Sequence, residues 1–160
     1  MTARRRVRGF SLIEMMVALT LLALLATVAL PMAEIVKRRE DEAALRRALI
    51  AIRSALDAYK AASDEGRIER AVDQSGYPPD LRTLVDGVED KRSAGGARLV
   101  FLRRIPDDPM CDCSGKAADA MWETRSYASD PADFSSGEDV FDIRSSSRKE
   151  GLDGVPYYQW

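Results

Sequence analysis

The sequence predicts an α+β protein in which a long N-terminal helix, apolar in its first half, packs on a small antiparallel β-sheet head. From Phe10 to Leu30 the single ionisable residue is Glu14. Beyond that run, apolar residues recur at intervals of three and four, which indicates a helix with one buried face. Short apolar segments bounded by Gly and Pro follow, as is typical of strands and turns.

The chain divides by composition into a leader at 1–9, a membrane-spanning half-helix at 10–33, an amphipathic half-helix at 34–64 and a globular head at 65–160. The leader carries four arginines and no acid, so the rest holds 20 basic and 26 acidic residues. An acidic body argues against a nucleic-acid partner. Because the chain has no histidine, the Ser-His-Asp and Cys-His nucleophile systems are excluded, and we expect no enzyme.

The apolar run is long enough to cross a membrane. Roughly 20 residues at a rise of 1.5 Å cover the ~30 Å hydrocarbon layer. A secretory signal peptide is the alternative, but the run is long for one and lacks a clear small-x-small cleavage pattern. Arginines crowd before the run, which places the N-terminus in the cytoplasm and the body outside: Arg4, Arg5, Arg6 and Arg8.

The acid inside this run is costly unless it has a partner. Residues 9–16, Gly-Phe-Ser-Leu-Ile-Glu-Met-Met, follow the arginines and resemble the class III signal of type IV pilins and type II secretion pseudopilins. The resemblance implies the type IV pilin-like fold, a membrane peptidase that cuts between Gly9 and Phe10, and methylation of the new N-terminal Phe10. It also implies that Glu14 pairs with the N-terminal ammonium of a neighbouring subunit. In a low-dielectric bundle the acid would offer that cation a fixed counter-charge.

The long helix is predicted from about Phe10 to about Ala62, ending before Gly66. Pro31 ends the apolar run and predicts a bend or a melted turn, because proline removes a helical hydrogen bond. Helices of the pilin family often loosen at the matching proline. Beyond it one stripe is predicted to form the floor of the core: Leu45, Leu49, Ile52, Leu56 and Tyr59.

The first part of the head contains a break at residues 75–80, which predicts a short helix with Leu81, Leu84 and Val85, closed by Gly87. Residues 88–97 are predicted to be an exposed loop. A strand is expected at residues 99–102.

The second part begins with residues 103–109, Arg-Arg-Ile-Pro-Asp-Asp-Pro, which resemble a box of the major pseudopilins of type II secretion (G-type). There we expect Asp108 to accept bonds from local backbone amides. Trp122 and Tyr127 are predicted to cover the core edge, with ligand stacking as the alternative. For Cys111 and Cys113, a tight disulfide, a free pair and a partner-linked pair all stay open.

The last strand is predicted at residues 139–144. Its alternation buries Phe141 and Ile143 and places Val140 on the opposite face, beside Asp142.

The ending, residues 152–160, also resembles that of major pseudopilins, many of which bind calcium in a C-terminal loop. The resemblance makes Asp139, Asp142 and Asp153 the calcium candidates. Calcium takes six to eight oxygens, and this segment is poor in acids and contains Arg148-Lys149. We therefore expect no cofactor and interpret Asp153-Gly154 as a turn.

The resemblance implies a structural subunit of the periplasmic pseudopilus of a type II protein secretion system. Such a subunit is anchored once in the bacterial inner membrane, with its head in the periplasm, and forms a homo-oligomeric filament that drives export. The implied partners are minor pseudopilins, the prepilin peptidase and an inner-membrane assembly platform. The alternatives are a minor type IV pilin, a competence pilin, and a membrane-anchored periplasmic binding protein.

Overall fold

The computed structural model describes residues 9–160, without the side chains of residues 28–31. The arginines of the predicted leader therefore lie outside the described residues. The chain forms two compact units, of which the first ends at Arg39 and the second is Glu40–Trp160. The first is helical over its described length past Ser11, and the second contains the core and all the strands that the described residues form.

The long helix, α1, spans Leu12–Asp64 and confirms the predicted element to within two residues at each end. Its C-terminus is closed by Gly66, which adopts φ +70°. The Arg67 N–H donates to Ala62 O at 3.0 Å and the Gly66 N–H to Ser63 O at 2.9 Å, the two bonds of a Schellman motif. The helix continues through Pro31, whose side chain lies outside the described residues, so the predicted bend there stays a prediction.

The second half of α1 forms the floor of the core, as predicted. All five residues of the apolar stripe are buried: Leu45, Leu49, Ile52, Leu56 and Tyr59. They pack with Leu84, Trp122, Ile143 and Tyr157 from the head. Burying each of the Leu and Ile side chains in this core stabilises the fold by about 1.5–3 kcal/mol relative to leaving it exposed.

The head carries two separate two-stranded antiparallel sheets. In the first, β1 (Val88–Glu89) pairs with β2 (Arg98–Leu99), with Val88 opposite Leu99. In the second, β3 (Trp122–Arg125) pairs with β4 (Asp142–Ser145). The predicted small antiparallel head is thus confirmed as two ribbons. Short 3-10 helices at Ala118–Met121 and Tyr157–Gln159 complete it.

The predicted short helix is present as α2, Thr83–Asp86. The Asp80 carboxylate accepts bonds from the Thr83 N–H at 2.8 Å and from its hydroxyl at 2.9 Å, which fixes the start. Gly87 ends it with φ +73°, and a Cβ there would lie 2.7 Å from Leu99 O. Only glycine therefore lets β2 approach this turn so closely.

The predicted strand at residues 99–102 and the predicted loop at 88–97 were both partly wrong. The strand ends at Leu99, because the N–H groups of Phe101 and Leu102 both donate to Leu84 O, within α2, instead of to a neighbouring strand. The loop supplies β1 and the buried Asp90, which accepts a bond from Arg67 Nη2 at 2.6 Å.

The predicted bounds of the last strand were also partly wrong. It begins at Asp142 rather than at residue 139. Val140 is buried, against the prediction, because it precedes the strand and its N–H donates to Pro78 O at 2.8 Å. Ile143 is buried as expected, but Phe141 is only partly buried.

Candidate functional site

The start of α1 carries the predicted processing and assembly residues. Gly9 and Phe10 are exposed and precede the helix, which begins directly after Ser11. The Glu14 N–H donates to the Ser11 hydroxyl at 3.3 Å, and the Ser11 N–H donates to the Glu14 carboxylate at 3.5 Å. This reciprocal arrangement is a capping box, and the acid also lies at the positive end of the helix dipole.

This capping role of Glu14 was not predicted, although the residues around it carry a recognisable signal. A Ser followed three residues later by Glu, before an apolar run, is the sequence signature of a capping box. Glu14 therefore has a partner within its own chain as well as the predicted one in a neighbour.

Past Glu14, α1 presents an apolar surface suited to lipid. Among the described residues it is the one helix long and apolar enough to cross a membrane. The Thr20 and Thr27 hydroxyls donate to Val17 O and Leu24 O, at 2.8 and 2.7 Å, so they satisfy themselves within the helix. Its large apolar side chains, Leu19, Leu21, Leu22, Leu24 and Leu25 among them, are exposed, which fits a membrane anchor.

The box at residues 103–109 is tied to the second sheet. Asp108 is buried, and its carboxylate accepts bonds from the Ser145 hydroxyl at 2.7 Å and from the Met110 N–H at 2.9 Å. The predicted bond to a local amide is confirmed. The Trp122 indole N–H donates to Pro106 O at 2.9 Å. These contacts hold the box against β3 and β4, which is a structural role.

Trp122 lies in the core, whereas Tyr127 is 60% exposed. Tyr127 stacks on Tyr77, with 5.9 Å between ring centroids, and both contact Phe141 edge-on. Burial raises the pKa of Tyr77, and nearby acids raise it further. The rings of Tyr77 and Tyr127 border an open cavity of about 740 Å³ that Asp139 also lines.

Two of the three calcium candidates are held by separate parts of the chain. Asp139 accepts bonds from the Ser75 and Ser126 hydroxyls and from the Tyr127 N–H. Its burial acts to raise the pKa of the carboxyl, but these hydrogen bonds together lower the pKa below its ordinary value. Asp142 accepts bonds from Arg53 Nε and from the Ile143 N–H, both at 2.8 Å.

The third candidate, Asp153, forms the predicted turn by accepting a bond from the Val155 N–H at 3.0 Å, and it lies 3.8 Å from Arg46 Nη2. The donor set does not fit calcium: the candidates' oxygens face N–H and O–H groups, and two of the three carboxylates face guanidinium cations. Within residues 9–160, no group of three or more His, Cys, Asp or Glu side chains is placed to hold a metal.

Glu42 and Arg53 contact the tail, which is the segment of residues 150–160. Neither residue was predicted to be functional from the sequence. Arg53 bonds β4 and Trp160, and Glu42 bonds Leu152 and Tyr157. Their partners lie about 90 to 115 residues away in sequence, so no local pattern could have revealed them.

The two cysteines are joined to each other in the structure. The Ser146 hydroxyl donates to Cys111 Sγ at 2.9 Å and lies 3.8 Å from Cys113 Sγ. Of the alternatives left open by the sequence, the structure therefore has the tight disulfide beside the end of β4.

Known proteins share sequence with this chain at the start of α1 and beyond it. The model of the prokaryotic N-terminal methylation motif family matches residues 4–30, which include Gly9, Phe10 and Glu14. The type II secretion system core protein G of Klebsiella pneumoniae is 32% identical over 109 residues, covering 66% of this chain and 70% of that protein. The protein of the same name from Aeromonas hydrophila is 27% identical over 111 residues, with 66% and 69% covered.

A further relative of that name, from Klebsiella michiganensis, is 29% identical over 110 residues, covering 66% of this chain and 70% of that protein. No solved structure matches the chain significantly. A methylation motif that opens a long apolar helix, with a small antiparallel head beyond it, defines a pilin-like protein. The chain belongs to the type II secretion system core protein G family, the major pseudopilins.

Proposed function

We propose that this protein is a structural subunit of the pseudopilus of a type II secretion system. It is anchored in the bacterial inner membrane by the apolar half of α1, and its head lies in the periplasm. The family assignment carries this proposal. The filament is built mainly from copies of this chain, and its growth drives protein export.

Processing at the leader is the first step of that function. A membrane peptidase cuts between Gly9 and Phe10 and methylates Phe10. The exposure of both residues, ahead of the first helical turn, leaves the peptide bond open to a protease. The cut also removes the arginine-rich leader and creates a new ammonium group on Phe10.

Glu14 then pairs with the Phe10 ammonium of a neighbouring subunit. From residue 15 to residue 36 the helix carries no basic side chain, so a cation for Glu14 must come from elsewhere. Within the membrane, an unpaired carboxylate costs a few kcal/mol. Pairing in a low-dielectric bundle removes that cost and sets the register of the incoming subunit.

The remaining partners follow from the same role. We propose that minor pseudopilins, the prepilin peptidase and an inner-membrane assembly platform act on or beside this chain. No nucleic acid is involved. We also propose that the protein is not an enzyme. The contacts of Asp108, a buried acid of the head, with Ser145 and Met110 support a structural role for that residue.

Substitution of Glu14 tests the proposal, because glutamine separates its two roles. Glu14→Gln keeps a capping-box side chain but removes the charge. We expect Glu14→Gln and Glu14→Val both to abolish co-purification of tagged with untagged copies, and to abolish secretion of the native cargo. Glu34→Gln, which neutralises an exposed acid of the same helix, serves as the matched control. It should support both co-purification and secretion.

If Glu14→Gln secretes and co-assembles like the unsubstituted protein, the charge pair is wrong and the acid serves only as a cap. If all variants, including Glu14→Val, secrete normally, the subunit role itself is contradicted.

A further inference from the structure

We propose that a cationic side chain of the chain itself, Arg53, occupies the position of a metal ion in the tail, so that residues 150–160 fold without calcium. The tail would fold in this way whether or not the chain assembles into a pseudopilus.

Arg53 gathers oxygens from the last strand and the tail. Its Nε donates to Asp142 Oδ1 at 2.8 Å, and its Nη2 donates to Ile143 O at 3.0 Å and to Trp160 O at 3.1 Å. One carboxylate and two backbone oxygens are the donor types that calcium uses. Here the guanidinium of Arg53 donates hydrogen bonds to these three oxygens instead. Its planar, fixed geometry allows it to bond several acceptors at once.

Glu42 holds the other end of the tail with the opposite charge. Its side chain is buried, with the residue 7% exposed, and Oε1 accepts bonds from the Leu152 N–H at 2.7 Å and the Tyr157 hydroxyl at 3.0 Å. Tyr157 is itself fully buried and packs edge-on against Trp160, with ring centroids 5.1 Å apart. The tail is thus fixed at its turn as well as at its end.

The helix presents these groups on one face. Residues 42 and 53 are eleven apart, close to three turns or about 16 Å of helix. Arg46 lies between them, with its guanidinium 4.3 Å from the centre of the Trp160 ring and 3.8 Å from Asp153 Oδ2. The cations at both Asp142 and Asp153 would repel a divalent ion brought to either carboxylate.

The test uses the full chain in detergent and reads the tail by trypsin cleavage after Arg148 and Lys149, followed by mass spectrometry. These side chains are exposed, while the backbone around them is held by bonds such as Tyr157 N–H to Lys149 O at 3.0 Å. In the unsubstituted protein, millimolar calcium and a chelator should give the same cleavage rate and the same Tm.

Arg53→Gln should raise the rate of tail cleavage about tenfold or more, because losing bonds from a charged donor frees the segment to open locally. Arg47→Gln removes the same charge from an exposed position of the same helix and should leave the rate unchanged. Arg53→Lys, which keeps the charge and loses the fork, should fall between them.

Two results would overturn the proposal. One is a calcium-dependent rise in the Tm, or a calcium-dependent slowing of tail cleavage, in the unsubstituted protein. The other is tail cleavage in Arg53→Gln no faster than in Arg47→Gln. The calcium comparison uses the unsubstituted chain, so it decides the question even if Arg53→Gln fails to fold.

Discussion

Asp139 shows how single residues of the head depend on hydrogen-bond donors supplied by distant loops. Its partners, Ser75 and Ser126, lie 64 and 13 residues away in sequence. The hydrogen bonds outweigh burial and hold the pKa of the carboxyl below its ordinary value. The group therefore stabilises the fold above the pKa of an unfolded aspartate, and this contribution is lost as the pH falls through the lower, folded-state pKa.

Substituting Asp139 should accordingly change the acid sensitivity of the protein. We expect Asp139→Asn to lower the free energy of unfolding near neutral pH by about 1–3 kcal/mol, because its amide cannot accept the same set of bonds. The deficit should shrink as the pH falls below the ordinary range of an aspartate. Urea denaturation across pH, followed by Trp fluorescence in detergent, measures both.

Asp133→Asn is the matched control, since Asp133 is exposed in the same part of the chain. Its free energy of unfolding should equal that of the unsubstituted protein at every pH. A constant offset between Asp139→Asn and the unsubstituted protein, extending to low pH, would contradict the role given to the ionised carboxylate.

Among individual residues, the sequence predicts those whose partners are near in the chain. The bond between Asp108 and the Met110 N–H, two residues away, was predicted in this way, and the processing and pairing roles of Gly9, Phe10 and Glu14 stay predictions from one local motif. The bond between Arg53 and Asp142 joins residues 89 apart. No periodicity links them, because that pairing is set by how the tail packs on α1.

Among the elements, α1 was predictable because one physical pattern continues over 53 residues. Its apolar half, its amphipathic half and its glycine stop each carry a strong local signal. The strands have two to four residues. Their limits depend on individual bonds to carbonyls elsewhere in the head, such as Pro78 O and Leu84 O, and the sequence does not reveal those bonds.

The stripe on α1 makes a direct prediction about stability. Ile52 is fully buried, whereas Ile50, two residues away, is 66% exposed. Ile52→Ala should cost about 2–5 kcal/mol of unfolding free energy through lost burial and a residual cavity. Ile50→Ala should change it by less than about 0.5 kcal/mol.

Trp fluorescence during urea denaturation measures this difference, because Trp122 lies in the same core. Equal losses in Ile50→Ala and Ile52→Ala would show that the stripe is not the floor of the head's core.

The whole molecule combines an apolar helical unit with a head whose core is built on the same helix. The apolar run and the match to the N-terminal methylation motif lie in the first unit, and the tail contacts of Glu42 and Arg53 lie in the second. The division after Arg39 follows from the contacts in the structure, whereas the change of composition near residue 34 marks the end of the apolar half of α1. The family assignment indicates that such a subunit works in a type II secretion system.

Filament assembly after processing requires the methylation motif, the apolar helix and the head to act together. Its most direct test is the intact mass of this chain in sheared filaments, isolated from cells that contain the prepilin peptidase. We predict a subunit that begins at Phe10 and carries one added CH2, because a methyl group replaces one hydrogen of its α-amino group, with no filaments recovered from peptidase-deficient cells. Filaments containing a chain that begins at Met1, or filaments from which this chain is absent, would contradict it.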